Sequence, residues 1–276
     1  MNWQMACTVL LLGAAGIFAQ APATSPNPDH QPTSTVRPKF DAFEVATIKP
    51  VNFDAKSGRY ITMQGTSRFV EKAYTLKLLI AAAYDMNPRT ILGGPGWIES
   101  DHYDIVAVTP CEVRPTHEEQ MSMLRNLLTE RFSLTFHREQ KEFSIYMLEV
   151  AKGGPKLKQS TSAPGDPPAL ISTVFSQHIH LPARNASMGE FVSLLQRAVL
   201  DRPVVDKTGV SGKYDFDLDW APDETQFGGD VPVASAEAPA APLFSAIQEQ
   251  LGLKLTATRG PVDALVVDKA EQPSAN

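Results

Sequence analysis

The sequence predicts an α+β fold built from two related units, and three observations carry that prediction. Leu124, Leu128, Phe132, Leu134 and Phe136 are spaced four, four, two and two residues apart, a helical period that turns into a strand period. The same spacing returns without a gap at Leu243, Ile247, Leu251, Leu253 and Leu255, and Met147-Leu148 falls on Val266-Val267. Helical stretches also alternate with short strands and hairpins along the whole chain. Each unit then reads strand, helix, strand, helix, strand, strand, an internal duplication with mainly antiparallel sheets and helices on one face.

The first unit spans 40–158. Residues 43–49 (FEVATIK) alternate apolar and polar, as a half-buried strand does. Residues 59–64 and 68–71 flank Gly65-Thr66-Ser67, which predicts a hairpin. Residues 75–84 (TLKLLIAAAY) form a helix with Leu76, Leu79, Ile80 and Ala83 on one face. Residues 93–97 (GGPGW) predict a loop, because three glycines and a proline interrupt both regular structures. A strand over 103–108 precedes a helix opened by Thr116 with Glu119 three residues on, a capping-box pattern. Residues 143–150 close the unit as a strand.

The second unit spans 171–272. Ser187 and Glu190 repeat the capping box, and Tyr214-Asp215 answers Tyr103-Asp104. That shared pair is most economically a structural feature of a strand start. Linker 159–170 separates the units, and residues 221–242, rich in proline and carrying Gly228-Gly229, predict a mobile surface loop.

The N-terminus predicts export. Residues 7–19 (CTVLLLGAAGIFA) are an uncharged apolar run of signal-peptide length, too short to span a membrane. Ala19-Gln20-Ala21 offers a cleavage site, so 1–21 read as a signal peptide, and cuts after Ala19 or Ala23 are alternatives. Residues 22–39 are a proline-rich flexible tail. Cleavage leaves one cysteine, Cys111, read as a small buried hydrophobe.

Composition narrows the function. The chain has 276 residues, 25 Lys+Arg against 31 Asp+Glu, and a net charge of −6, which argues against a nucleic-acid partner. No zinc-peptidase, nucleophile-elbow, phosphate-loop or dinucleotide motif is present, and no cofactor is implied. Two polar groups remain. His178 and His180 share one face if they lie in a strand, where they could hold a metal ion or simply sit on the polar face of an edge strand. Asp101 and His102 adjoin the glycine loop, where Gly94, Gly96 and Trp97 could line a ligand groove.

Several ordered motifs also resemble a known family. They are residues 43–50 (FEVATIKP), Gly93 to Trp97 with 101–105, 127–137, 150–157 (VAKGGPKL), 202–209 (RPVVDKTG), 214–216 and 249–255 (EQLGLKL). Together they resemble the large acidobacterial family of secreted proteins built on a domain of unknown function. The resemblance implies an exported bacterial protein. Related domains fused to sensor-type membrane metallopeptidases imply an extracytoplasmic sensing or contact role. It assigns no catalytic residue.

The resulting expectation is a non-enzymatic binding, interaction or sensing module outside the cytoplasm, with a protein or cell-envelope ligand. Any pocket should lie between the units or at the glycine loop. The competing expectation is a secreted metal-assisted hydrolase using a His/Asp cluster.

Overall fold

Two long strands pair along their whole length, and everything else is arranged around them. The computed structural model describes residues 37–53, 58–163, 166–229, 231–235 and 238–273. The signal segment and nearly all of the tail lie outside them. Pro38–Asn276 group as one compact unit.

The first half begins with strands β1 (Val45–Val51), β2 (Tyr60–Gln64) and β3 (Arg68–Thr75), then helix α1 (Leu76–Ala83). A 3-10 turn (Pro88–Thr90) leads to β4 (Ile91–Gly93), α2 (Trp97–Ser100), β5 (His102–Val108), α3 (His117–Phe132) and β6 (Thr135–Val150). The second half holds the short strands β7 (Lys158–Gln159), β8 (Ala169–Leu170) and β9 (Thr173–Val174), then β10 (Ile179–Ala186) and α4 (Met188–Leu194). β11 (Val204–Asp206), β12 (Tyr214–Trp220), α5 (Leu243–Ala246) and β13 (Leu253–Lys269) complete it. Helices α4 and α5 each continue into a π-helical turn, Leu195–Val199 and Ile247–Leu251. The fold is therefore α+β with mainly antiparallel sheets. No helix among the described residues is long and apolar enough to cross a membrane.

The expected hairpin forms between β2 and β3, and both capping boxes are present, at Thr116–Glu119 and Ser187–Glu190. The glycine segment is not wholly a loop. Gly93 ends β4, and Trp97 opens α2 with Gly96 as its N-cap.

One bulge in each half has the same local design. β3 and β10 each slip register just before a helix, between Glu71 and Tyr74 and between Ala183 and Ala186. Each bulge holds a non-glycine residue at positive φ, Ala73 at 56° and Asn185 at 51°, an uncommon conformation for such residues. A carboxylate of the strand-start pair receives each bulge amide: Ala73 N donates to Asp104 at 3.0 Å and Asn185 N to Asp215 at 2.9 Å. The Asn185 amide holds the Asp215 carboxyl below its ordinary value.

The end of each half departs from expectation. Two strands were predicted after each last helix, but β6 and β13 are single strands of 16 and 17 residues. They pair antiparallel from Leu253 opposite Val150 to Lys269 opposite Thr135. The polar middle is exposed ribbon, where Gln140 donates to Asp263. Its two ends enter different cores. Tyr146 and Leu148 pack with Phe191, Leu218 and Trp220 of the second half. Leu265 and Val267 pack with Leu79, Ile105 and Phe132 of the first. Pairing follows the same exchange, since β11 runs parallel to β6 and β4 parallel to β13.

One buried group contradicts its surroundings. Glu71 is fully buried opposite Ile105, and neither carboxylate oxygen has a hydrogen-bond partner among the described residues. Burial, reinforced by the negative charge of Asp104, pushes its pKa well above the usual carboxylate value. The folded chain therefore holds this proton at pH values where the unfolded chain, with a Glu pKa of about 4.3, has released it. Stability from this group is fully present below that unfolded value and is lost as pH rises toward the raised folded one.

Two outcomes follow from these features. A chain cut at a protease site inserted between Ser160 and Pro168 stays folded and elutes as one species, whereas fragments 38–158 and 171–276 made separately lack native circular dichroism and regain it on mixing. Glu71→Gln melts higher than the parent at pH 7.5 and not at pH 4; an equal gain at both pH values would show that ionisation of Glu71 is not the cause.

Candidate functional site

A cleft of about 880 Å³ opens where α1 of the first half meets the π-turn of the second. Its apolar lining includes Leu78 and Ala82 from α1, Leu200 beyond the π-turn, and Phe227 and Val231 from the segment after β12.

The seam under the cleft is hydrogen-bonded. In the π-turn, Leu200 N reaches back to Leu195 O at 2.7 Å, and the carbonyls loosened by that wider turn need other donors. Asn87, 2% exposed, supplies them: its Nδ2 donates to Gln196 O at 2.5 Å and to Leu200 O at 3.3 Å. Its Oδ1 accepts from Arg89 N at 2.9 Å, which fixes the turn carrying Pro88 and Arg89 into the cleft. Beside it, Ser193 donates to Asp85, and Gln196 Nε2 donates to Asp85 O at 3.0 Å.

The segment after β12 is pinned as well. Trp220, fully buried, donates from Nε1 to Gln226 Oε1 at 2.7 Å, and Gln226 Nε2 donates to Asp223 Oδ2 at 2.9 Å. The Phe227 ring stacks on Trp220 at 6.3 Å. Phe227, Gly228 and Gly229 all have positive φ, at 52°, 66° and 83°. Such a run at a bulky residue persists only where surrounding contacts hold it. The start of the predicted surface loop thus forms a wall of the cleft.

Charge around the cleft is mixed. Arg59, Arg89, Arg197, Asp201 and Glu224 line it. Tyr146 donates its hydroxyl to Asp201 Oδ1 at 3.1 Å, and burial, then the Asp201 charge, raises the Tyr146 pKa.

The residues singled out from the sequence are distributed differently. Trp97 stacks on Phe132 at 6.4 Å and packs against the first core. A side chain at Gly94 would come within 2.9 Å of Ile98 and 3.1 Å of Val267, so that glycine permits close packing, whereas Gly96 faces open space. Asp101 accepts from Ser100 at 2.9 Å and from Gln272 at 2.7 Å. His102 stacks on Phe53 at 5.0 Å and lines a smaller depression of about 300 Å³, which shares Arg59, Leu78, Pro88 and Arg89 with the main cleft. Of the glycine-loop group, His102 alone lines either depression.

His178 lies in the turn before β10, where Phe175 N donates to His178 O at 2.9 Å and the two rings stack at 4.6 Å. The strand rule that would align it with His180 does not apply in that turn. His180 Nδ1 pairs with Asp219 at 2.9 Å, and His137 pairs with Asp268 at 2.8 Å. Among the described residues, no group of three His, Cys, Asp or Glu side chains is placed to hold a metal ion.

Sequence reading missed Asn87, Arg89, Arg197 and Phe227. Asn87-Pro88 is a turn-initiating dipeptide and could have marked the first two. Nothing in the local pattern marks Arg197.

A family model described as a protein of unknown function, DUF3738, matches residues 77–270. No curated protein and no solved structure matches the chain.

Proposed function

The chain belongs to the DUF3738 family, and we propose that it is a non-enzymatic binding module acting outside the cytoplasm, with the cleft between its halves as the ligand site. The observation that carries this reading is the cleft itself. Its volume, about 880 Å³, falls within the roughly 300–1,000 Å³ of small-molecule pockets. Leu78, Ala82, Leu200, Phe227 and Val231 give it apolar surface beside its charged groups, and its walls are held by the Asn87 and Gln226 networks. A preformed cavity that combines apolar surface with a few fixed polar groups binds at little ordering cost. Export rests on the apolar run at 7–19 and the Ala19-Gln20-Ala21 site.

The neutral dye Nile red tests the cleft. It titrates to one saturable site in the parent and loses that site in Ala198→Trp, a substitution at a half-buried cleft position, with circular dichroism unchanged. Undiminished binding by the variant would remove the cleft from consideration. Full-length chain expressed in a bacterium appears in the periplasmic fraction with its N-terminus at Pro22, or at Gln20 or Thr24 if the alternative cuts are used. Retention of uncut chain in the cytoplasm would overturn export.

A further inference from the structure

We infer that the ligand of this cleft carries a carboxylate on an apolar body, with Arg89 and Arg197 as the partners of the anion. The inference rests on the cleft being the ligand site and adds the ligand's chemical class.

The two guanidinium groups are incompletely neutralised, each for the same reason. Arg89 has a side chain 66% exposed, and its nearest carboxylate, Asp201 Oδ2, lies 3.6 Å from Nη2, beyond a good hydrogen bond. Asp201 is already shared. Its Oδ1 accepts from Tyr146, and its Oδ2 lies equally 3.6 Å from Arg202 Nε. Arg197 repeats the arrangement on the π-turn. Its Nε is buried without a hydrogen-bond partner among the described residues and lies 3.6 Å from Asp85 Oδ1, which already accepts from Ser193.

Three arginines thus line one cleft in a chain of net charge −6, and two of them, Arg89 and Arg197, stand beside a carboxylate engaged elsewhere. Glu224, the other acid of the lining, is exposed to solvent. An arginine presents a planar fork of donors that matches a carboxylate bidentately. The wall of Leu78, Ala82, Leu200 and Phe227 leaves the rest of the ligand in contact with apolar surface.

Octanoate, octanamide and octylamine share a chain and differ in charge, and their binding to the parent protein by titration calorimetry tests the inference. Octanoate binds at least about tenfold more tightly than octanamide, as a charge-assisted hydrogen bond implies, and octylamine binds most weakly. Arg89→Gln, at an exposed side chain, removes most of that preference with circular dichroism unchanged; Arg89→Lys retains part of it. Equal binding of octanoate and octanamide, or a preference for octylamine, overturns the anion inference and leaves the cleft as a site. Failure of all three ligands while Nile red titrates does the same. Failure of Nile red as well removes both the inference and the reading it rests on.

Discussion

The pairing of β6 with β13 is the constraint on which the rest of the structure depends. Sixteen residues of one strand run against seventeen of the other, and the ribbon passes from one hydrophobic core into the next. Neither core is complete within its own half. The second core needs Tyr146 and Leu148, and the first needs Leu265 and Val267. Burying such side chains is worth about 1.5–3 kcal/mol each, so each half is stabilised by apolar surface that only the other can supply. The parallel additions of β4 to β13 and β11 to β6 reinforce this exchange.

Because the ribbon binds the halves together, α1 and the π-turn after α4 are brought side by side. Their seam is closed by polar contacts rather than by further apolar packing. Asn87 satisfies two carbonyls near the π-turn while its own Oδ1 shapes the next turn. A buried amide with its donors and acceptor engaged adds specificity of alignment, and an unfilled one would cost about 1–3 kcal/mol. The cleft remains open above this seam because the segment after β12 is tied down by Trp220 and Gln226.

Little of the candidate site was legible in the sequence, and the reason is physical. Trp97 and Gly94 stood out as an aromatic beside glycines, but their chemistry serves packing: a ring on Phe132 and an absent Cβ against Ile98 and Val267. His178 stood out beside His180, but a turn places it against Phe175. By contrast, Arg89 and Arg197 look like ordinary surface cations. The role inferred for them rests on Asp201 and Asp85 accepting from Tyr146 and Ser193, which no spacing along the chain reveals.

The sequence by itself determined the local structure: the α+β class, the hairpin at Gly65, and the capping boxes at Thr116 and Ser187. These are interactions between near neighbours, written in periodicity and caps. Tertiary structure alone decided that the polar middle of β6 is continuous ribbon, that its ends serve two cores, and which residues line the cleft expected between the halves. Those outcomes depend on pairs such as Asn87 and Gln196, 109 residues apart. Such contacts form only once the whole chain has folded, because a residue's polarity states that it needs a partner without naming which one.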